Sequence, residues 1–154
     1  MNEIEIAENK TLKLNNVLHR PINQDSEEGL EKVMRMFDSY LKSNKLEPYG
    51  PAIVRSESTI SNGKIIQKSD MLVQLRSPPA NVTEPYGFQP SLRMENCLMA
   101  RFRGPMSALQ IAYSKMQVYS FEHDIRPSGT TFTVFVEHSP DGIVLADIFS
   151  EVIG

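Results

Sequence analysis

Residues 30–50 read LEKVMRMFDSYLKSNKLEPYG and residues 109–129 read LQIAYSKMQVYSFEHDIRPSG, and laying one stretch over the other decides the fold. Leu30 falls on Leu109, Phe37 on Met116, Tyr40 on Tyr119, Pro48 on Pro127 and Gly50 on Gly129, each pair 79 positions apart. In the first copy Leu30, Val33, Met34, Phe37, Tyr40 and Leu41 recur at helical spacing, with Glu31, Lys32, Arg35 and Asp38 on the other side. The expected helix spans 25–44, with Asp25 and Ser26 offering an N-cap and Glu28 in capping-box position. Gly29 in its first turn costs about 1 kcal/mol relative to alanine. In the second copy Leu109, Ala112, Tyr113, Met116 and Tyr119 form one stripe that fades through Phe121 and ends before Pro127. Gly104-Pro105 precedes it, and proline suits a first helical position because its missing N–H has no partner there.

Around each helix the same extended segments recur. Residues 12–20 and 92–103 read as strands leading into the two helices. Residues 51–58 and 64–75 read as a hairpin closed by Ser61-Asn62-Gly63, since Asn-Gly between extended runs is a strong hairpin signal. Residues 130–137 and 143–153 repeat that hairpin around Ser139-Pro-Asp-Gly142. Past the turn the offset falls to 77, placing Asp70-Met-Leu on Asp147-Ile-Phe, as a shorter turn requires. The stretch from Arg76 to Pro90 holds four prolines and one glycine and reads as a linker over about 77–90. The expectation is one α+β domain over 1–154, made of two strand–helix–strand–strand repeats, about 10–76 and 91–154. They would pair in a pseudo-twofold arrangement, an antiparallel sheet with both helices on one face, because one such unit leaves apolar surface and strand edges uncovered.

Composition narrows the function. The chain has 154 residues, 40% apolar and 23% charged, as in an ordinary globular protein. One cysteine permits no intrachain disulfide, which favours a reducing, cytoplasmic setting, and the sequon Asn81-Val82-Thr83 is then read as coincidental. No apolar run approaches the ~20 residues of a membrane helix. The acids in MNEIEIAENK argue against a secretory signal. With a net charge of −3 and basic residues scattered among acids, no nucleic-acid footprint is expected.

Chemistry-bearing residues are few. His19, His123 and His138 lie in different elements without metal-ligand spacing, so no metal or other cofactor is expected. Cys97, in Asn-Cys-Leu-Met-Ala, reads as a small buried apolar residue rather than a nucleophile. Asp70 and Asp147 each interrupt an apolar strand. A carboxylate lining a low-dielectric groove attracts a cation, whereas the plainer reading exposes each to solvent or pairs it with an arginine such as Arg55 or Arg76. Tyr49 and Tyr86 sit in Pro-Tyr-Gly loops, where an aromatic is a ligand candidate; Tyr40, Tyr113 and Tyr119 sit on the helices as core or rim residues that can also wall a groove.

The run Arg101-Phe-Arg-Gly-Pro105, the helix after it, Pro127-Ser-Gly-Thr-Thr-Phe-Thr-Val-Phe-Val136 and Val144-Leu-Ala-Asp-Ile-Phe149 resemble the gyrase-inhibitor-like (GyrI-like) superfamily. That superfamily includes effector-binding domains of bacterial multidrug-responsive transcription activators, and the chain also resembles small proteins of Gram-positive bacteria. The resemblance implies two strand–helix–strand–strand repeats and a central groove for hydrophobic, often cationic, ligands. Where the family often has an acid and a tyrosine, in Phe-Glu-x-Tyr, this chain has Phe132-Thr133-Val134-Phe135; the acid of the final strand remains as Asp147, matched by Asp70. The candidate ligand-binding set is therefore Tyr49, Asp70, Tyr86, Tyr119, Phe132, Thr133 and Asp147, with no catalytic residue. The expected function is a stand-alone small-molecule binding module. The rival is a protein-interaction adaptor that keeps the fold, with a homodimer as one form, and a small hydrolase acting in the groove ranks third.

Overall fold

A computed structural model of the protein describes residues 3–22 and 29–153. Its elements run β1 (Glu3–Pro21), α1 (Gly29–Ser43), β2 (Ile53–Ser61), β3 (Lys64–Gln74), β4 (Gly87–Pro105), α2 (Leu109–Glu122), β5 (Pro127–His138) and β6 (Ile143–Val152). This is the expected α+β order, with every described strand pairing antiparallel. The proposed cap residues Asp25, Ser26 and Glu28 lie outside the described residues.

Internal packing divides the chain into two units, Lys13–Leu92 and Met1–Leu12 with Arg93–Gly154. In the first, β3 runs between β1 and β2, with Pro21 and Arg55 both opposite Asp70. Met71 and Val73 of β3, and Leu75 just after it, pack with Val33, Phe37 and Leu41 of α1 in one buried cluster. Side chains alternate along a strand, so Asp70 and Leu72 point to the face turned away from α1. In the second unit β6 runs between β4 and β5, with Arg101 and Val134 opposite Asp147. Val144, Ala146 and Ile148 pack with Leu109, Ala112 and Met116 of α2, leaving Asp147 on the face turned away from that helix.

The repeat read from the sequence is present bond for bond where each helix ends. Leu46 N–H donates to the Leu41 carbonyl at 2.9 Å and Ile125 N–H to the Ser120 carbonyl at 2.8 Å, the long bond of a Schellman ending. Between them Lys45 and Asp124 adopt φ of 55° and 54°, the left-handed conformation that ending requires. Arg76 N–H reaches the Glu47 carbonyl at 3.0 Å, and Ile153 N–H reaches the Arg126 carbonyl at 2.8 Å. The hairpin turn Asn62-Gly63 takes φ of 51° and 75°, the signs of the primed turn that matches strand twist.

Three boundaries differ from the sequence reading. β1 begins at Glu3 rather than near residue 12, because Ile4 and Ile6 pack against the α2 cluster while Glu3 and Glu5 alternate with them. β4 begins at Gly87, inside the expected linker, since strand pairing tolerates Pro90 where no ladder donor is needed. Pro105 is extended, with φ −67° and ψ 143°, and leads a short 3₁₀ turn, Met106–Ala108, before α2. It is the last residue of a strand, paired with Ile143, and not the first of a helix.

Candidate functional site

Asp70 lies at the heart of an open cleft of about 670 Å³ in the Lys13–Leu92 unit, lined by His19, Pro21, Arg55, Glu84, Pro85, Tyr86 and Gly87 besides Asp70 itself. Register builds its floor, because Pro21 on β1 and Arg55 on β2 both face Asp70 on β3. The Arg55 guanidinium donates to Asp70 Oδ2 from Nε at 3.3 Å and from a terminal nitrogen at 2.9 Å. With side chains only 17% and 23% exposed, the pair is shielded enough that each partner depends on the other.

One wall is aromatic. The Tyr86 ring stacks on Tyr40 with centroids 3.8 Å apart and meets Phe37 edge-on at 5.3 Å. Its hydroxyl donates to the Met36 carbonyl at 3.2 Å, and the Arg20 guanidinium lies 5.3 Å from its centroid. Tyr86 is thus anchored to α1 and holds the loop before β4 against the cleft. His19 closes the site from β1. Burial lowers its pKa below the usual imidazole range, and the Arg55 charge lowers it further against an opposing pull from Asp70. Its ring lies so close to Gly87 that a Cβ there would stand 2.4 Å from Cε1, a space only glycine leaves open.

The candidate residues divide. Asp70 and Tyr86 meet in this cleft. Tyr49 lines a separate cavity of about 240 Å³ in the same unit with Asn15, Asn16, Gln74, Leu75 and Arg76, where the Arg76 guanidinium lies 5.5 Å from its ring. Tyr119, Phe132, Thr133 and Asp147 belong to the other unit. There the Tyr119 hydroxyl donates to Glu8 Oε2 at 2.6 Å and its ring stacks on His123. Phe132 is buried, and Thr133 is buried in a hydrogen bond with the Tyr113 hydroxyl on the α2 side of the sheet. Burial pushes the Tyr113 phenol up, opposed by that bond. Asp147 accepts two hydrogen bonds from Arg101, at 2.8 and 3.0 Å.

Six cleft residues were not among the candidates: His19, Pro21, Arg55, Glu84, Pro85 and Gly87. Arg55 had appeared only as a possible partner for Asp70 and His19 only as a non-ligand of metals. Their proximity depends on cross-strand register and on the path of the loop before β4, which no local pattern encodes. Among the described residues no group of three or more His, Cys, Asp or Glu is placed to hold a metal ion. Cys97 is fully buried, and burial raises its thiol pKa above the usual range, away from the nucleophilic thiolate. No described helix is long and apolar enough to cross a membrane.

No protein-family model matches the chain, and no curated protein does either. Solved structures do. The C-terminal domain of EcmrR superposes with a TM-score of 0.69 at 11% identity, covering 99% of this chain and 98% of that one. EcmrR in a DNA complex gives 0.68 at 12% identity, with this chain spanning 57% of that chain's length. SAV2435, bound to tetraphenylphosphonium, gives 0.58 at 11% identity over 99% of this chain and 94% of its own. The chain therefore shares the α+β fold of the EcmrR C-terminal domain and of SAV2435, the architecture that the sequence resemblance implied.

Proposed function

We propose that the protein is a small-molecule binding module whose ligand enters the cleft around Asp70 and Tyr86, and that it holds this ligand without transforming it. The carrying observation is the cleft's lining, in which Asp70 and Glu84 accompany the guanidinium of Arg55 beside Pro21, Pro85 and an anchored tyrosine. His19, held toward its neutral form, adds a hydrogen-bonding group and little positive charge at neutral pH. Such a surface favours a hydrophobic ligand carrying delocalised positive charge, which loses less hydration on entry than a compact ammonium. The fold is shared with SAV2435, which binds tetraphenylphosphonium, and that supports the same ligand class here.

Isothermal titration with tetraphenylphosphonium and with neutral triphenylphosphine oxide tests this reading. The cation should bind about tenfold more tightly than the oxide, and Glu84→Gln, on an exposed side chain, should narrow that gap without altering the melting temperature. Equal affinities for the two probes, or heat from neither, would sink it.

A further inference from the structure

The second helix carries apolar side chains on two sides. Leu109, Ala112 and Met116 face the core of its unit, yet Ile111, Val118 and Phe121 stand 51%, 56% and 86% exposed on the outside. Ile111, Ser114, Val118 and Phe121 are spaced three, four and three residues apart, so they form one continuous seam along α2. The matching positions of α1, 79 residues earlier, are Lys32, Arg35, Ser39 and Lys42, all exposed and polar. The seam is therefore not a requirement of the repeat, since the same helix in the other unit does without it.

We infer that this seam is a self-docking surface, on which α2 of a second copy packs antiparallel across a twofold axis. The flanking charges select both the partner and its direction. With Ile111 and Val118 at a positions and Ser114 and Phe121 at d positions, Lys115 and Glu122 fall at the two e positions, and Gln110 and Gln117 at g. In an antiparallel pair e faces e, so Lys115 meets Glu122 of the second copy, and twofold symmetry makes that contact twice. Glutamine meets glutamine along the other flank without conflict. A parallel pair would set both charges against glutamines and form neither ion pair. Lys115 and Glu122 are both exposed and, among the described residues, make no ion pair of their own. Three large apolar side chains per copy fall short of the ~1,200–2,000 Å² of a permanent interface, so the dimer is a weak, reversible one.

Sedimentation velocity of the full chain from micromolar to millimolar concentration tests this. The parent should shift from monomer to dimer across that range, and Phe121→Ser should remain monomeric at every concentration with an unchanged melting curve. Lys115→Glu should weaken association about tenfold by setting like charges together, and the exchanged pair Lys115→Glu with Glu122→Lys should restore it. A parent that stays monomeric, a dimer that survives Phe121→Ser, or an exchanged pair no better than Lys115→Glu alone would each overturn the inference. None of these readouts involves the cleft or its ligand.

Discussion

The two units keep one backbone plan and spend their side chains differently. Both helices close with the same long hydrogen bond and the same left-handed residue, and both send a side chain back to the carbonyl four residues earlier, Asn44 to Tyr40 and His123 to Tyr119, each at 2.9 Å. Both central strands place an aspartate on the face away from their helix. The partner of that aspartate changes sides, however. Asp70 takes its arginine from the preceding strand of its hairpin, Arg55 on β2, whereas the equivalent position there in the second unit is Val134, and Asp147 is served instead by Arg101 on β4. Backbone geometry is fixed by the need to satisfy every buried N–H and C=O. Charge placement answers to local use, and among the described residues the first unit combines its pair with a tyrosine wall and an open cleft.

Substitutions at matched positions can break this comparison or sharpen it. Phe37→Ala and Met116→Ala truncate equivalent core residues, and urea unfolding should show losses of about 4 and about 3 kcal/mol, following the volume removed. A much smaller loss at Met116 would mean that α2 is less firmly seated than α1. Gly87→Ala has no counterpart in the second unit and forces the His19 ring to move, at roughly 2 kcal/mol by the same measurement, with weakened ligand binding. Asp70→Asn strands a largely buried guanidinium and should cost about 2 kcal/mol. Asp147→Asn leaves an Arg101 side chain that is already 51% exposed, and thermal melts should show less than about 1 kcal/mol lost. Equal costs would show that the two pairs are shielded alike. Lys45→Gly and Asp124→Gly relieve the same left-handed strain and should each raise stability by roughly 0.5 kcal/mol.

The smallest effect is one of pH. His19 binds its proton less readily in the folded chain than in the unfolded one, where its pKa is near the ordinary imidazole value of about 6.5. Below that value the unfolded state carries more protons, so this histidine's contribution is full above it and is lost as pH falls through 6.5 toward the lowered folded value. His19→Gln should flatten the slope of melting temperature against pH in that window, and an unchanged slope would assign the dependence to other groups.

Much of the fold was legible because its signals are local. Helical spacing over 30–41 and 109–119, the Asn62-Gly63 turn and the recurring Pro-x-Gly after each helix are written within a few residues of where they act. The first strand hid its beginning because Glu3 and Glu5, on its outward side, made an alternating segment look merely acidic. Of the site, Asp70 stood out as a carboxylate among apolar neighbours, and Tyr86 as an aromatic between proline and glycine. Tyr49 has the same Pro-Tyr-Gly context and lines a different cavity, so the motif identifies a loop aromatic without saying where the loop goes. The Arg55 partnership and the close approach of Gly87 to His19 arise from register and loop path, which exist only once the chain has folded.

The division of the chain also imposes an order on its synthesis. All of Lys13–Leu92 is continuous, so that unit can gather its core as soon as it leaves the ribosome. The other joins residues 3–12 to residues beyond 93, and the bond from Tyr119 to Glu8 spans 111 positions. Until that second stretch emerges, Ile4 and Ile6 have no α2 cluster to enter and stay exposed in an alternating segment. Their alternation with Glu3 and Glu5 then has a use before folding is complete, since charge along a waiting strand discourages it from pairing with another nascent chain.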